Sequence, residues 1–352
     1  MQVVDVRKET ADCVSVALKP ADSVSNLFAF KPGQYLTLKA NINGKEVRRS
    51  YSLCSAPHES EWRVAIKKVP DGEFSTWANE SLKEGMTLEA MAPNGKFILN
   101  PTSGDKRSVL GFAAGSGITP ILSHIKSLLK SDATSHYTLF YVNKDSSSVI
   151  FKESIQELKD EYLNRFSLFH ILTREPQDID LFNGRLDENR CRAILNSQWV
   201  DFQQVADVYL CGPEEMIWAC KRALEVEGMA SENIHFELFT SSKKSGESVL
   251  AVDQVRNTEL RRLAIVLDGV TTMVEVPENK SIVDAALDAG LDAPYSCLGG
   301  VCCTCRAKMT QGEVAMDVNY ALESDEVEAG FVLTCQSKLR GTGPFEVDYD
   351  QQ

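Results

Sequence analysis

No uninterrupted apolar run in this chain approaches the ~18 residues that a membrane span needs, so no transmembrane helix is expected. Positive charge is also in short supply. Lysine plus arginine number 37 against 50 aspartates plus glutamates, a net charge of −13 over 352 residues, which disfavours a function resting on a phosphate backbone. The opening segment, Met1 to Thr10, has alternating charges and no basic stretch leading into an apolar core, so no signal peptide is expected and the cytoplasm is the expected location. Histidine is scarce. The five residues His58, His124, His136, His170 and His235 show no ligand spacing, and no Ser-His-Asp or Cys-His arrangement demands nucleophilic catalysis. Disordered and collagen-like composition are absent too: 43% apolar and 25% charged residues are ordinary globular values, and the length accommodates two or three domains. The ten cysteines are not spread as a secreted disulfide framework would spread them, because Cys297, Cys302, Cys303 and Cys305 fall within nine residues.

From Gln2 to about Asn100, short apolar and polar alternations are broken by Pro20, Pro32-Gly33, Asn43-Gly44, Asp71-Gly72 and Pro93-Asn94-Gly95. Frequent short strands with turn signals predict an antiparallel β-barrel or sandwich. The character changes near Arg107. Ser108 to Gly115 reads as a buried strand entering a glycine loop, and Ile121 to Leu129 has helical spacing. Strand and helix patterns then alternate through Tyr137 to Val142, Ser154 to Leu163, Phe166 to Leu172, Val208 to Pro213 and Met216 to Val226. Such alternation predicts a doubly wound α/β domain with a parallel sheet. A polar, aperiodic stretch follows Thr240, as an interdomain linker would. Beyond it, alternating Leu263, Ile265 and Leu267, an Asp268-Gly269 turn and a helix opened by Ser281 predict a small α+β unit. The expected domains are thus residues 1–104, 105–240 and 260–352, with 241–259 as linker.

The strongest chemical signal lies in the last unit. Cys297, Cys302 and Cys305, with Cys335 further on, give C-x4-C-x2-C plus a distant fourth cysteine, the plant-type [2Fe-2S] spacing. Zinc is the rival metal, but zinc knuckles favour paired C-x2-C units and this chain has only one. Cys303 is read as a non-ligand, since adjacent ligating cysteines would strain the loop.

Arg49-Ser50-Tyr51-Ser52 ends a barrel strand, where Arg49 and Tyr51 share one face and place a cation beside an aromatic ring. A plain cross-strand pair has the same signature. Gly115-Ser-Gly117-Ile-Thr119-Pro120 lies between strand and helix, where backbone amides can receive a pyrophosphate, although a tight strand-to-helix turn looks the same. Its proline departs from the G-x-G-x-x-G fingerprint.

Taken with Phe30-Lys-Pro-Gly-Gln-Tyr35, Ile66-Lys67, Gly72-Glu-Phe-Ser75-Thr76, Pro93-Asn-Gly-Lys-Phe97 and Cys211-Gly212-Pro213-Glu-Glu-Met216, these segments resemble the ferredoxin-NADP reductase superfamily. The resemblance implies FAD binding. It has Arg49 pair with the flavin diphosphate, Tyr51 pack on the isoalloxazine, Ser52 lie near N5, and Gly72, Ser75 and Thr76 help to hold the pyrophosphate, with Ser50, Ile66 and Lys67 in the same cradle. It also implies that Gly115 and Gly117 receive NADPH, that Thr119 and Pro120 approach the nicotinamide half, and that Cys211, Gly212 and Pro213 lie beside the ring. Glu237 and Phe239 match a segment that returns to the flavin edge; a last sheet strand is the simpler reading of the same residues. Arg174 matches the segment meeting the adenosine ribose, where it would favour NADPH over NADH; an exposed loop arginine is the alternative. Ser52, Cys211 and Glu237 are the expected catalytic residues.

The order flavin, nucleotide, ferredoxin resembles reductase components of bacterial oxygenases. The Cys297 to Lys308 segment, Met316 to Glu323 and Gly330 to Ser337 resemble in particular the phenylacetyl-CoA epoxidase reductases. This resemblance implies a β-grasp ferredoxin fold and electron flow from NADPH through FAD and a [2Fe-2S] cluster to a di-iron oxygenase. A reductase for an aromatic-ring or steroid oxygenase, or a flavin iron-sulfur redox sensor, would carry the same parts. Gly312 to Gln352 holds nine acidic residues against Lys338 and Arg340, either a face that steers toward a basic partner or a solvated surface.

Overall fold

The computed structural model describes residues 1–100, 107–239 and 260–351. The expected linker 241–259 and the expected join at 104/105 lie outside the described residues. The chain forms two compact units divided after Phe239.

The first unit opens with a six-stranded antiparallel barrel: β1 (Gln2–Thr10), β2 (Cys13–Lys19), β3 (Tyr35–Ile42), β4 (Lys45–Ser52), β5 (Trp62–Lys67) and β6 (Glu89–Ala90), with helix α1 (Glu73–Ser81). Two three-stranded sheets, β1-β2-β5 and β4-β3-β6, are closed by bridges between Leu53 and Val64 and between Gln2 and Thr87. Asn43 and Gly44 form the two-residue hairpin between β3 and β4, both at positive φ (53° and 80°), as a type I′ turn requires. Alternation along β3 sends Leu36 and Leu38 into the barrel core with Val16, Leu18, Val64 and Ile66.

A five-stranded parallel sheet follows, in spatial order β11-β10-β7-β8-β9. Its strands are β7 (Ser108–Ala114), β8 (His136–Asn143), β9 (Phe166–Leu172), β10 (Val205–Gly212) and β11 (Ile234–Leu238). The crossover helices are α2 (Ile118–Ser131), α3 (Lys152–Glu161), α4 (Glu188–Leu195) and α5 (Glu214–Val226). Helix α3 begins and ends two residues earlier than the sequence pattern indicates, because Tyr162 leaves the helical region (φ −113°, ψ 42°) and Leu163 is exposed. The chain runs outward from β7 through β8 to β9 and resumes at β10 on the other side of β7. Strand order therefore reverses between β7 and β10, and the crevice beyond their carboxyl ends is where open α/β sheets bind ligands.

The barrel and this sheet share one apolar core. Cys13, Cys54, Ala65, Phe97 and Leu99 pack with Ile118, Ile121, Ile125, Tyr137, Tyr141 and Tyr209 in a single cluster. Helix α2 is fastened to the barrel at three points: Ser123 Oγ donates to Ser55 O (2.7 Å), His124 Nε2 meets Phe97 O (3.0 Å) and Lys126 pairs with Glu59 (2.9 Å).

The second unit has a five-stranded mixed sheet, order β13-β12-β18-β14-β16, and a β15-β17 ribbon. Its elements are β12 (Leu260–Leu267), β13 (Val270–Pro277), α6 (Ile282–Asp288), β14 (Arg306–Gln311), β15 (Glu313–Met316), α7 (Ser324–Glu328), β16 (Phe331–Leu333), β17 (Ser337–Arg340) and β18 (Phe345–Asp348). Strands β12 and β18 are parallel and the other pairs antiparallel, the β-grasp arrangement. Ser281 caps α6 by accepting from Asp284 N at 3.2 Å, as expected of the residue before a helix. Among the described residues no helix is long and apolar enough to cross a membrane.

Candidate functional site

Strand β4 carries the residues expected to meet the flavin. Its register on β3 sets Arg49 opposite Leu38 and Tyr51 opposite Leu36, so the two share a face. Arg49 is exposed, with Nη1 donating to Arg48 O (2.6 Å), and Tyr51 lies half-buried with its ring 5.5 Å from that of Phe74 on α1. That contact brings the start of α1, with Gly72, Ser75 and Thr76, beside the end of β4. The turn is tightly made: Ser75 Oγ donates to Gly72 O and accepts from Val69 N, both at 3.2 Å, and Thr76 N donates to Gly72 O at 2.9 Å. Ser50 Oγ lies 3.0 Å from Thr37 Oγ1 on the other face of β4. On β5, Ile66 is buried and its carbonyl accepts from Asn79 Nδ2 (2.9 Å), while Lys67 Nζ lies 3.8 Å from Asp12 Oδ2. An exposed guanidinium, a half-buried phenol ring and a helix start on one rim fit a flavin dinucleotide.

The loop after β7 occupies the reversal point of the parallel sheet. Tyr141 OH donates to Gly115 O (3.0 Å), and Thr119 Oγ1 donates to Ser116 O (3.0 Å) while Pro120 sits buried in the first turn of α2. Gly117 is obligatory for space: a Cβ there would lie 2.2 Å from Cys211 O. The glycine loop and the Cys211-Gly212-Pro213 turn therefore touch through backbone, leaving their amides at one crevice.

Cys211 is fully buried and paired in register with Glu237 on β11. Burial pushes its thiol well above the usual range, and the Glu237 carboxylate adds to that. The Ser52 hydroxyl donates to Glu237 Oε2 at 3.2 Å, linking β4 of the barrel to β11 of the parallel sheet. Burial also pushes the Glu237 carboxyl up to about 8, with the Ser52 hydrogen bond pulling the other way, so the acid holds its proton at neutral pH. Phe239 packs on the shared core. Ser52, Glu237, Cys211 and Gly117 thus form one continuous line of contacts from barrel to nucleotide loop. Arg174 stands apart on an exposed turn after β9, its N–H donating to Lys144 O (2.8 Å).

One anchor is a histidine that the sequence leaves open between a structural and a surface role. His124 has no exposed surface, stacks its edge against Tyr209 (4.6 Å between centroids), and is held by burial as the neutral imidazole, at about 3. The signal available in the sequence was a histidine between Ser123 and Ile125 on an amphipathic helix, a position that reads equally as structural or surface.

In the second unit, Cys302, Cys305 and Cys335 are buried and Cys297 is half-exposed. The thiols meet in pairs, Cys297 with Cys302 and Cys305 with Cys335, and Cys297 also reaches Cys335. Backbone N–H groups already point at sulfur, Gly299 N to Cys297 Sγ (3.3 Å) and Cys297 N to Cys302 Sγ (3.5 Å). Among the described residues no three His, Cys, Asp or Glu side chains surround a single-ion position. Four thiols in one run of contacts, Cys302 to Cys297 to Cys335 to Cys305, with amide donors on two of the sulfurs, fit a binuclear iron-sulfur cluster. Cys303 Sγ turns away to Ala321 O (3.3 Å).

Three family descriptions match the chain in succession: an oxidoreductase FAD-binding domain over residues 2–98, an oxidoreductase NAD-binding domain over 112–222 and a 2Fe-2S iron-sulfur cluster binding domain over 265–340. The chain is 38% identical to a subunit of the 1,2-phenylacetyl-CoA epoxidase of Escherichia coli (strain K12), covering 99% of this chain and 97% of that protein. It is 33% identical to the ferredoxin reductase component of 3-ketosteroid-9-alpha-monooxygenase of Mycobacterium tuberculosis, covering 100% and 96%. Phthalate dioxygenase reductase has the same fold, with a TM-score of 0.60 at 24% identity over 99% of this chain and 96% of that one. The chain belongs to the family of NAD(P)H-dependent flavin iron-sulfur reductases that serve as electron-transfer components of oxygenases.

Proposed function

We propose that this chain is the reductase subunit of a phenylacetyl-CoA epoxidase, drawing electrons from NADPH and delivering them to the di-iron oxygenase of aerobic phenylacetate catabolism. The end-to-end likeness to the Escherichia coli epoxidase protein supports this, and it extends through all three matched domains. Bound FAD supplies hydride acceptance and single-electron release, and a bound [2Fe-2S] cluster supplies one-electron carriage.

The chain's own residues divide the work. Arg49 and the Gly72, Ser75 and Thr76 turn hold the flavin diphosphate, with Ser50, Ile66 and Lys67 lining the cradle, and Tyr51 covers the ring. Gly115, Gly117, Thr119 and Pro120 receive the dinucleotide, Arg174 takes the 2′-phosphate, and Cys211, Gly212 and Pro213 flank the nicotinamide. Ser52 and the protonated Glu237 set polarity where hydride passes, and Phe239 closes the apolar side. Cys297, Cys302, Cys305 and Cys335 hold the irons. The Ser52–Glu237 bond and the pairwise meeting of the four thiols support these roles.

The proposed domains are residues 1–104, 105–240 and 260–352, joined by 241–259, a reading supported by the three matched ranges falling one within each. A cytoplasmic location is proposed because NADPH is supplied there.

The test is turnover with the purified oxygenase: NADPH-coupled epoxidation of phenylacetyl-CoA is expected, faster than with NADH. The likeness to the 3-ketosteroid monooxygenase reductase component favours a second reading, service to a steroid oxygenase. Product formation only with that oxygenase would replace the first reading.

A further inference from the structure

A chain of hydroxyls runs from the last strand of the second unit to its cysteine loops. Tyr349, half-buried and just past β18, donates from its hydroxyl to Thr334 Oγ1 at 3.0 Å. Thr334, with no exposed surface, spends its one hydroxyl proton on Cys305 O at 2.9 Å, and its N–H reaches the same carbonyl at 3.1 Å. Thr334 O in turn accepts from Val283 N on α6 (3.2 Å), and Tyr349 N is held by Val266 O on β12 (3.0 Å). Donor and acceptor directions agree along the whole relay: the threonine oxygen can accept from the tyrosine because its own proton is committed to the cysteine carbonyl.

Thr334 immediately precedes Cys335, and the carbonyl it grips is that of Cys305. The relay therefore fastens the two ligand-bearing segments to each other at their backbones and fastens both to the sheet. We propose that Tyr349 is a positioning residue for the iron-sulfur site, holding the Cys305 and Cys335 pair at ligating distance through Thr334. It touches no reacting atom. What it contributes is preorganisation: a thiol pair already at its separation loses metal more slowly than one whose loops can part.

This inference rests on the reading of the four cysteines as cluster ligands. The experiment uses the full chain with flavin and cluster bound, and follows bleaching of the cluster absorbance by an iron chelator. Tyr349→Phe, which removes one oxygen from a half-buried ring, is expected to accelerate cluster loss about fivefold, the effect of one ordinary hydrogen bond. Flavin content and the rate of flavin reduction by NADPH are expected to stay at the wild-type values. Thr334→Ser keeps the donor and should lose its cluster at the wild-type rate. Thr334→Val, which removes both hydrogen bonds of the relay, should lose it at least as fast as Tyr349→Phe, and adding Tyr349→Phe to it should change nothing further, because the relay is already broken. Equal loss rates for wild type and Tyr349→Phe would overturn the proposal. So would a Tyr349→Phe effect of the same size in the Thr334→Val background, since that marks ring packing rather than the relay. If Thr334→Val does not fold, Tyr349→Phe and Thr334→Ser decide alone, and a fast-losing Thr334→Ser overturns it. A wild-type chain that takes up no cluster sinks the ligand reading along with the proposal, whereas a bound cluster indifferent to Tyr349 sinks only the proposal.

Discussion

Ser52 on the fourth barrel strand donates a hydrogen bond to Glu237 on the last strand of the nucleotide sheet, across 185 positions of sequence. One residue belongs to the segment read as flavin-binding and the other pairs with Cys211 beside the nucleotide loop. Under the proposed roles, this bond ties the two cofactor cradles where hydride would pass between them. Ser52→Ala is expected to slow NADPH-driven flavin reduction by about tenfold to a hundredfold, the scale of a small misplacement at a reacting centre, while flavin remains bound. Stopped-flow absorbance measures it.

The same carboxyl has a signature in pH. Glu237 titrates near 8 in the folded chain against an ordinary 4.5. Between those values the folded state holds a proton that the unfolded state has released, so stability falls as pH rises through this window. Glu237→Gln should flatten that part of the stability curve and remove a midpoint near 8 from the pH profile of flavin reduction. Ser52→Ala should move the midpoint higher, because the serine hydrogen bond favours the charged form. Chemical denaturation at stepped pH and the rate profile are the two readouts.

His124 predicts the opposite slope at acid pH. Its folded value of about 3 lies below the ordinary 6.5, so the unfolded state binds the extra proton and stability is lost as pH falls from about 6.5 toward 3. His124→Gln is expected to shallow that loss, and to cost about 1–2 kcal/mol at neutral pH through poorer packing between Phe97 and Tyr209. Acid titration of both proteins, followed by tryptophan fluorescence, checks it.

Much of this was legible in the sequence because it was local. Asn43-Gly44 and Asp268-Gly269 announced their hairpins, Ser281 its helix, and the cysteine spacing a 2Fe-2S domain, which the matched family description bears out. What the sequence hid is the fusion of barrel and nucleotide sheet into one unit. That fusion depends on Ser123 meeting Ser55, His124 meeting Phe97 and Tyr209 OH meeting Ile98 O (3.3 Å), pairs separated by 27 to 111 positions. No period or turn signal encodes such contacts. The acidic run from Gly312 onward also looked simpler in sequence than it is, for Asp317 is paired with Lys338 (2.6 Å) and Glu326 with Arg306 (3.1 Å).

Gly117 predicts a clean separation of functions. Gly117→Ala places a methyl 2.2 Å from the Cys211 carbonyl oxygen, a clash with backbone that no rotamer relieves. The loop must open, so KM for NADPH is expected to rise at least about tenfold with flavin retained. Steady-state reduction of an artificial acceptor measures it.

Arg174 predicts nucleotide choice. Under its proposed role at a 2′-phosphate, the exposed Arg174 guanidinium matters only when that phosphate is present. Arg174→Ala should raise KM for NADPH about tenfold or more and leave KM for NADH unchanged; comparison of the two nucleotides in one assay checks it.

Under the proposed function, electrons pass from NAD(P)H through flavin to a cluster held by Cys297, Cys302, Cys305 and Cys335, and only then to the oxygenase. The most direct measurement is single-turnover reduction of Cys302→Ser, following flavin absorbance, the EPR signal of the reduced protein and product formed by the oxygenase together. Flavin should be reduced by NADPH at the wild-type rate while the EPR signal and product disappear. Undiminished electron delivery to the oxygenase from that variant would rule out this route.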